Sequence, residues 1–103
     1  MIMTSQVEGT DTQTTGTLVL PANMEIGNLD DLYNEMAGIA DGPRKEFVLD
    51  GGEVSMIDTA GIQLLIAFMR KLASDGCALS WENYSVQVYQ MAEELGLADE
   101  LSD

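Results

Sequence analysis

At 103 residues the chain has room for one domain, and its 46% hydrophobic content suits a globular protein rather than a disordered one. Eighteen acidic residues against four basic ones (Arg44, Lys45, Arg70 and Lys71) leave a formal net charge of −14, which would repel nucleic acid and anionic lipid, since both are gripped through clustered cations. With no histidine and a single cysteine, Cys77, a Ser–His–Asp triad, a Cys–His pair, the common zinc sites and an intrachain disulfide are excluded as well.

Residues 1–14 are rich in Thr, Gly and acids, and are expected to form a flexible tail or a short edge strand over Met3 to Val7. They show neither the basic start nor the apolar run of a signal peptide. Thr15 to Leu20 (TGTLVL) reads as a strand, which Pro21 ends by removing a ladder donor. A helix follows, with Asn28 placed as its N-cap and Asp30 and Asp31 in the first turn, where the dipole favours negative charge. Leu29, Leu32, Tyr33, Met36 and Ile39 recur at three- and four-residue intervals as its apolar face, and Gly42-Pro43 stops it.

Glu46 to Asp50 (EFVLD) is the next strand, which leaves through a flexible Gly51-Gly52 pair. After the apolar run Val54 to Ile57, Asp58-Thr59-Ala60-Gly61 opens a second helix. Ile62, Leu64, Leu65, Ile66, Phe68, Met69 and Leu72 make that helix apolar around most of its girth, with polar residues confined to Gln63, Arg70, Lys71 and Ser74. Such a helix should lie largely buried against a sheet. Arg70 and Lys71 suit its carboxyl end and Gly76 its left-handed stop. Ala78 to Trp81 reads as a third strand. Ser85 then caps a helix lined by Val88, Met91, Ala92 and Leu95 and closed by Gly96, and Leu97 to Leu101 adds a last short turn.

Adjacent carboxylates such as Asp30 and Asp31, or Glu93 and Glu94, diverge around a helix and read as solvated faces rather than acid–base pairs. The methionines read as core filling, Trp81 as a partly buried strand residue and Cys77 as a small apolar one. Alternation of strand and helix predicts a single α/β domain over residues 15–103. Its sheet should be mostly parallel or mixed, with helices mainly on one face, because so short a chain cannot cover both. The longest apolar run, Leu64 to Met69, is too short for a bilayer, so no membrane insertion and a cytoplasmic location are expected. No G-x-x-x-x-G-K-[ST] or G-x-G-x-x-G segment is present, so no cofactor is expected.

The informative stretch is Phe47 to Phe68, FVLDGGEVSMIDTAGIQLLIAF. It delivers the chain from a buried strand to a hydroxyl beside an aspartate at a helix start, where unpaired N–H groups favour anions, including a phosphate on a side chain. Strand Phe47-Val48-Leu49-Asp50, motif Asp58-Thr59-Ala60-Gly61 and the closing MAEELGLADEL together resemble the STAS domain of bacterial anti-sigma-factor antagonists and related regulators. The resemblance runs from about Gly16 to Leu101. It departs from the family's D-S-[ST]-G motif in having Thr59 for the more usual serine and Ala60 for the second hydroxyl.

The resemblance implies a STAS-like fold and a non-catalytic protein that docks a partner through Asp58, Thr59, Ala60 and Gly61. By position Thr59 would be the phosphoacceptor. The partner would be a serine/threonine kinase acting as anti-sigma factor, in transcription regulation, or a related component such as a chemotaxis-type protein. Alternatively, the chain resembles the small cytoplasmic STAS subunits that bind the ATPase of a lipid-transporting ABC system. A monomer when free is expected. Each motif residue also has a structural reading: Thr59 as an N-cap, Asp58 as a charge at the helix start, Gly61 as a site of close packing.

Overall fold

The computed structural model describes residues 15–42 and 45–101, so the Met3 to Val7 segment and Pro43 of the first helix stop lie outside the described residues. Strand β1 (Thr15–Val19) is broken at Pro21 and resumes as β2 (Asn23–Met24). A 3-10 turn (Ile26–Asn28) leads into helix α1 (Asp30–Ala40), then into β3 (Glu46–Asp50) and β4 (Met56–Ile57). Helix α2 (Thr59–Ser74), strand β5 (Ala78–Asn83), helix α3 (Val86–Glu94) and a final 3-10 turn (Ala98–Leu101) complete the order.

The sheet is parallel throughout, in the order β1-β3-β5. Thr17 pairs with Val48 and Val48 with Ser80, so Leu18, Phe47, Leu49, Leu79 and Trp81 share one face. Past the interruptions at Pro21 and Gly51-Gly52, the same neighbours pair again as the short ladder β2-β4, with Asn23 opposite Met56 and Met24 opposite Ile57. Parallel neighbours need crossovers, and α1 and α2 supply them.

All three helices contribute to one core against the Leu18, Phe47 and Leu49 face. Helix α2 is its centre, burying Ile62, Leu65, Ile66, Phe68, Met69 and Leu72, and Phe68 meets Phe47 edge to face with centroids 6.2 Å apart. Helix α1 adds Leu32 and Met36, and α3 adds Val88 and Ala92. On the opposite face of the sheet Thr17 and Ser80 are exposed and Val19 is 48% exposed. The expected one-sided packing is therefore observed among the described residues.

Five local expectations need correction. Leu95, expected to line α3, is instead its C-cap and is exposed. Asn28 does not cap α1: it closes the 3-10 turn through its own N–H to the Glu25 carbonyl (2.8 Å), and Leu29 precedes the helix without a side-chain cap. Tyr33, one step round from Leu32, turns outward and is 59% exposed. Strand β5 runs on to Asn83 because an irregularity after Leu49 pairs Asp50 with Asn83 rather than Glu82. The Gly51-Gly52 exit is tied down: Gly51 is buried and its N–H reaches the Asn83 carbonyl at 2.7 Å. The positive φ of Gly76 (84°) and Gly96 (73°) does end α2 and α3 as glycine permits.

Ser85 caps α3 as expected and does more. Its buried hydroxyl accepts from the Val88 N–H (3.2 Å) and donates to the Val54 carbonyl (3.2 Å), fastening α3 to the segment that leads into β4. Ser85→Ala removes the cap and strands a buried carbonyl, so urea denaturation should show a loss of roughly 1–2 kcal/mol at unchanged m-value.

Candidate functional site

The start of α2 lies at the carboxyl-terminal ends of the parallel strands, where crevices form in sheets of this type. Asp58 is the N-cap, with extended backbone (φ −120°, ψ −173°). Its Oδ1 accepts from the Gly61 N–H at 3.0 Å, and its Oδ2 accepts from the Ile26 N–H at 2.9 Å. One carboxylate thus joins the first turn of α2 to the turn after β2, thirty-two residues earlier in the chain. The Gly61 N–H, followed by that of Ile26, holds the Asp58 carboxyl below the ordinary aspartate range.

Gly61 is buried, and a Cβ there would overlap the Met24 carbonyl oxygen and come within 2.9 Å of Ile57 Cγ1. Of its two readings, close packing is the one its surroundings express. Any part it takes in partner contact passes through the placement of the helix, not through exposed surface of its own. Ala60 is half-buried.

Thr59 is the first helical residue and is exposed. The capping role open to it in the sequence belongs to Asp58, and the Thr59 hydroxyl has no hydrogen-bond partner among the described residues. At this helix end the Asp58 carboxylate already takes the Gly61 N–H and places a negative charge beside Thr59. A phosphate on Thr59 would meet that neighbouring negative charge.

Around this point the strand exits are cross-tied. Asp50 Oδ1 accepts from the Gly52 N–H (3.0 Å) and from Asn83 Nδ2 (3.1 Å), linking the ends of β3 and β5. Ser55 and Met56 both donate backbone N–H groups to the Ala22 carbonyl, at 2.9 and 3.1 Å. Ile26, Ser55 and Asn83 carried no signal in the sequence, since each acquires its partner only across the folded sheet. Met56 departs from the core-filling expectation, being 48% exposed on β4, whereas Met24, Met36 and Met69 are buried. Among the described residues no group of three His, Cys, Asp or Glu side chains could hold a metal, and no helix is long and apolar enough to cross a membrane.

A parallel sheet with three helices on one face thus carries the D-T-A-G motif at the mouth of its central helix. A family model described as "Mlab, STAS domain" matches residues 8–103, and the chain belongs to that family. No curated protein matches the sequence. Two examples show how solved structures share the fold. A sulfate transporter family protein from Wolinella succinogenes aligns with TM-score 0.68 and 20% identity, over 85% of this chain and 71% of that one. The anti-sigma factor antagonist SpoIIAA in its unphosphorylated form aligns with TM-score 0.66 and 17% identity, over 88% and 80% of the two chains.

Two outcomes test this geometry. Gly61→Ala should destabilise the domain by about 1–3 kcal/mol in chemical denaturation, since the methyl group meets backbone rather than a movable side chain. For Asp58 the folded state holds the ionised form, so its contribution is complete above the ordinary aspartate range and fades as pH falls through the lowered value. The gap in melting temperature between wild type and Asp58→Asn should therefore be constant near neutrality and close on acidification below about pH 4.

Proposed function

We propose that the protein is a non-catalytic regulator that docks a partner protein through the exposed start of α2, with phosphorylation of Thr59 as the release signal. One observation carries this reading: Asp58 and Gly61 are committed to holding the helix in place, while the hydroxyl between them is exposed and structurally idle. A side chain kept accessible on a rigid frame is free to be read or modified by another protein.

The physics of the switch is repulsive. A phosphate adds about −1.5 to −2 charges. Beside the Asp58 carboxylate, and with no cation in the motif, that charge would stay at the contact surface and oppose docking. A loss of only ~2.8 kcal/mol of binding energy weakens a complex about a hundredfold. The partner class we favour is a serine/threonine kinase that doubles as an anti-sigma factor, or a related bacterial signalling protein in the cytoplasm. The likeness in fold to an anti-sigma factor antagonist supports this. A second reading, docking to the ATPase of a transport system, draws support from the likeness to a sulfate transporter family protein. It would use the same exposed helix start.

Pull-downs from native lysate with wild type, Thr59→Ala and Thr59→Glu separate the two. Capture of a serine/threonine kinase by the first two baits and at least about tenfold less by the third supports the phosphorylation switch. Recovery of a transporter ATPase supports the second reading. Equal retention of one partner by all three baits rules out Thr59 as the switch.

A further inference from the structure

The described cations gather at one end of the molecule. Lys45 precedes β3, and Arg70 and Lys71 lie towards the end of α2, so all three sit at the amino-terminal end of the parallel strands. Arg70 is paired there with Glu100 and Lys71 with Asp75. At the Thr59 end, a groove of about 260 Å³ runs between β4 and α3. Met56, Ile57 and Met91 give it an apolar lining, Glu25 and Glu94 contribute carboxylates and Gln87 an amide, and no cation among the described residues lines it. Its edge is shared with the motif: Ile57 precedes Asp58, and Glu25 precedes the Ile26 whose N–H that aspartate holds.

The groove is smaller than the ~300–1,000 Å³ of small-molecule sites, which suits one or two side chains of a partner rather than a cofactor. Exposed and half-buried methionines offer an adaptable apolar surface, since the thioether chain repacks at little cost. Two carboxylates without a cation partner among the described residues favour positive charge opposite them. A net charge of −14 draws such a partner in and repels anionic surfaces.

We propose that this groove docks a cationic amphipathic segment of a partner protein, which seats a large apolar side chain against Met56 and Met91 and sets Lys or Arg opposite Glu25 and Glu94. The inference rests on the reading of the Thr59 end as the docking face and adds the chemistry of what docks there.

The probe is a synthetic amphipathic Lys/Leu helix of about 14 residues, roughly four turns, with a Glu/Leu helix of equal length as control. Each is titrated into the isotopically labelled full chain while the amide resonances are followed by NMR. Shifts should be confined to the amides around Glu25, Met56, Gln87, Met91 and Glu94, and the Glu/Leu peptide should cause none. The double substitution Glu25→Gln with Glu94→Gln should raise Kd about tenfold, and Met56→Ser several-fold. Asp41→Asn with Glu46→Gln removes the same charge at the opposite end and should change Kd by less than about twofold.

Equal weakening by the two double variants, shifts spread over the whole acidic surface, or comparable binding of the Glu/Leu peptide each overturn the proposal. The amide spectrum of every variant reports its folding in the same experiment. The titration contains neither kinase nor phosphate, so its outcome is independent of whether Thr59 is the switch.

Discussion

The Asp58 carboxylate is the contact on which the arrangement of the site depends. Its two oxygens take N–H groups from elements far apart in sequence, the first turn of α2 and the turn after β2. Gly61 makes that junction possible by letting the helix start lie against the Met24 carbonyl, where any side chain would intrude. The two residues lock the motif from either side of Thr59. Thr59 itself is left outside the lock, on a frame it does not help to build.

That division of labour separates the residues that hold the helix start in place from the one that does not. Asp58 and Gly61 would be needed in a domain with no partner at all, since capping and close packing are requirements of the fold. A hydroxyl that is exposed and without a hydrogen-bond partner among the described residues has no such duty there. The fold is shared with an anti-sigma factor antagonist and with a sulfate transporter family protein, at 17% and 20% identity. At that distance the fold is held in common while surfaces are free to differ.

The rigidity of the site comes from several short polar links at one end of the sheet. Asp50 joins the exits of β3 and β5 through Gly52 and Asn83, Ser85 joins α3 to the chain before β4, and Ala22 receives Ser55 and Met56. Each replaces what would have been a loose loop end with a pinned one. Docking of the kind proposed above would cost such pinned elements little freedom, which would leave more of the contact energy for affinity.

Periodicity and composition were enough to give the α/β order, the central helix buried around most of its girth and the placement of Asp58-Thr59-Ala60-Gly61 at its start. These follow from side-chain spacing along a continuous segment, which the sequence states directly. The caps at Ser85 and the glycine stops at Gly76 and Gly96 were legible for the same reason, being decided within a few residues. What the sequence could not state were contacts between segments some thirty residues apart. The bond from Ile26 to Asp58, the bond from Asn83 to Asp50 and the short ladder of β2 on β4 exist only once the crossovers have closed. Tertiary structure likewise turned Tyr33 and Met56 outward, assigned the capping role to Asp58 rather than Thr59, and spent Asn28 on a 3-10 turn. Residue type sets what a side chain is able to do locally; which face becomes covered, and which hydroxyl stays free, is decided by what the rest of the chain packs against it.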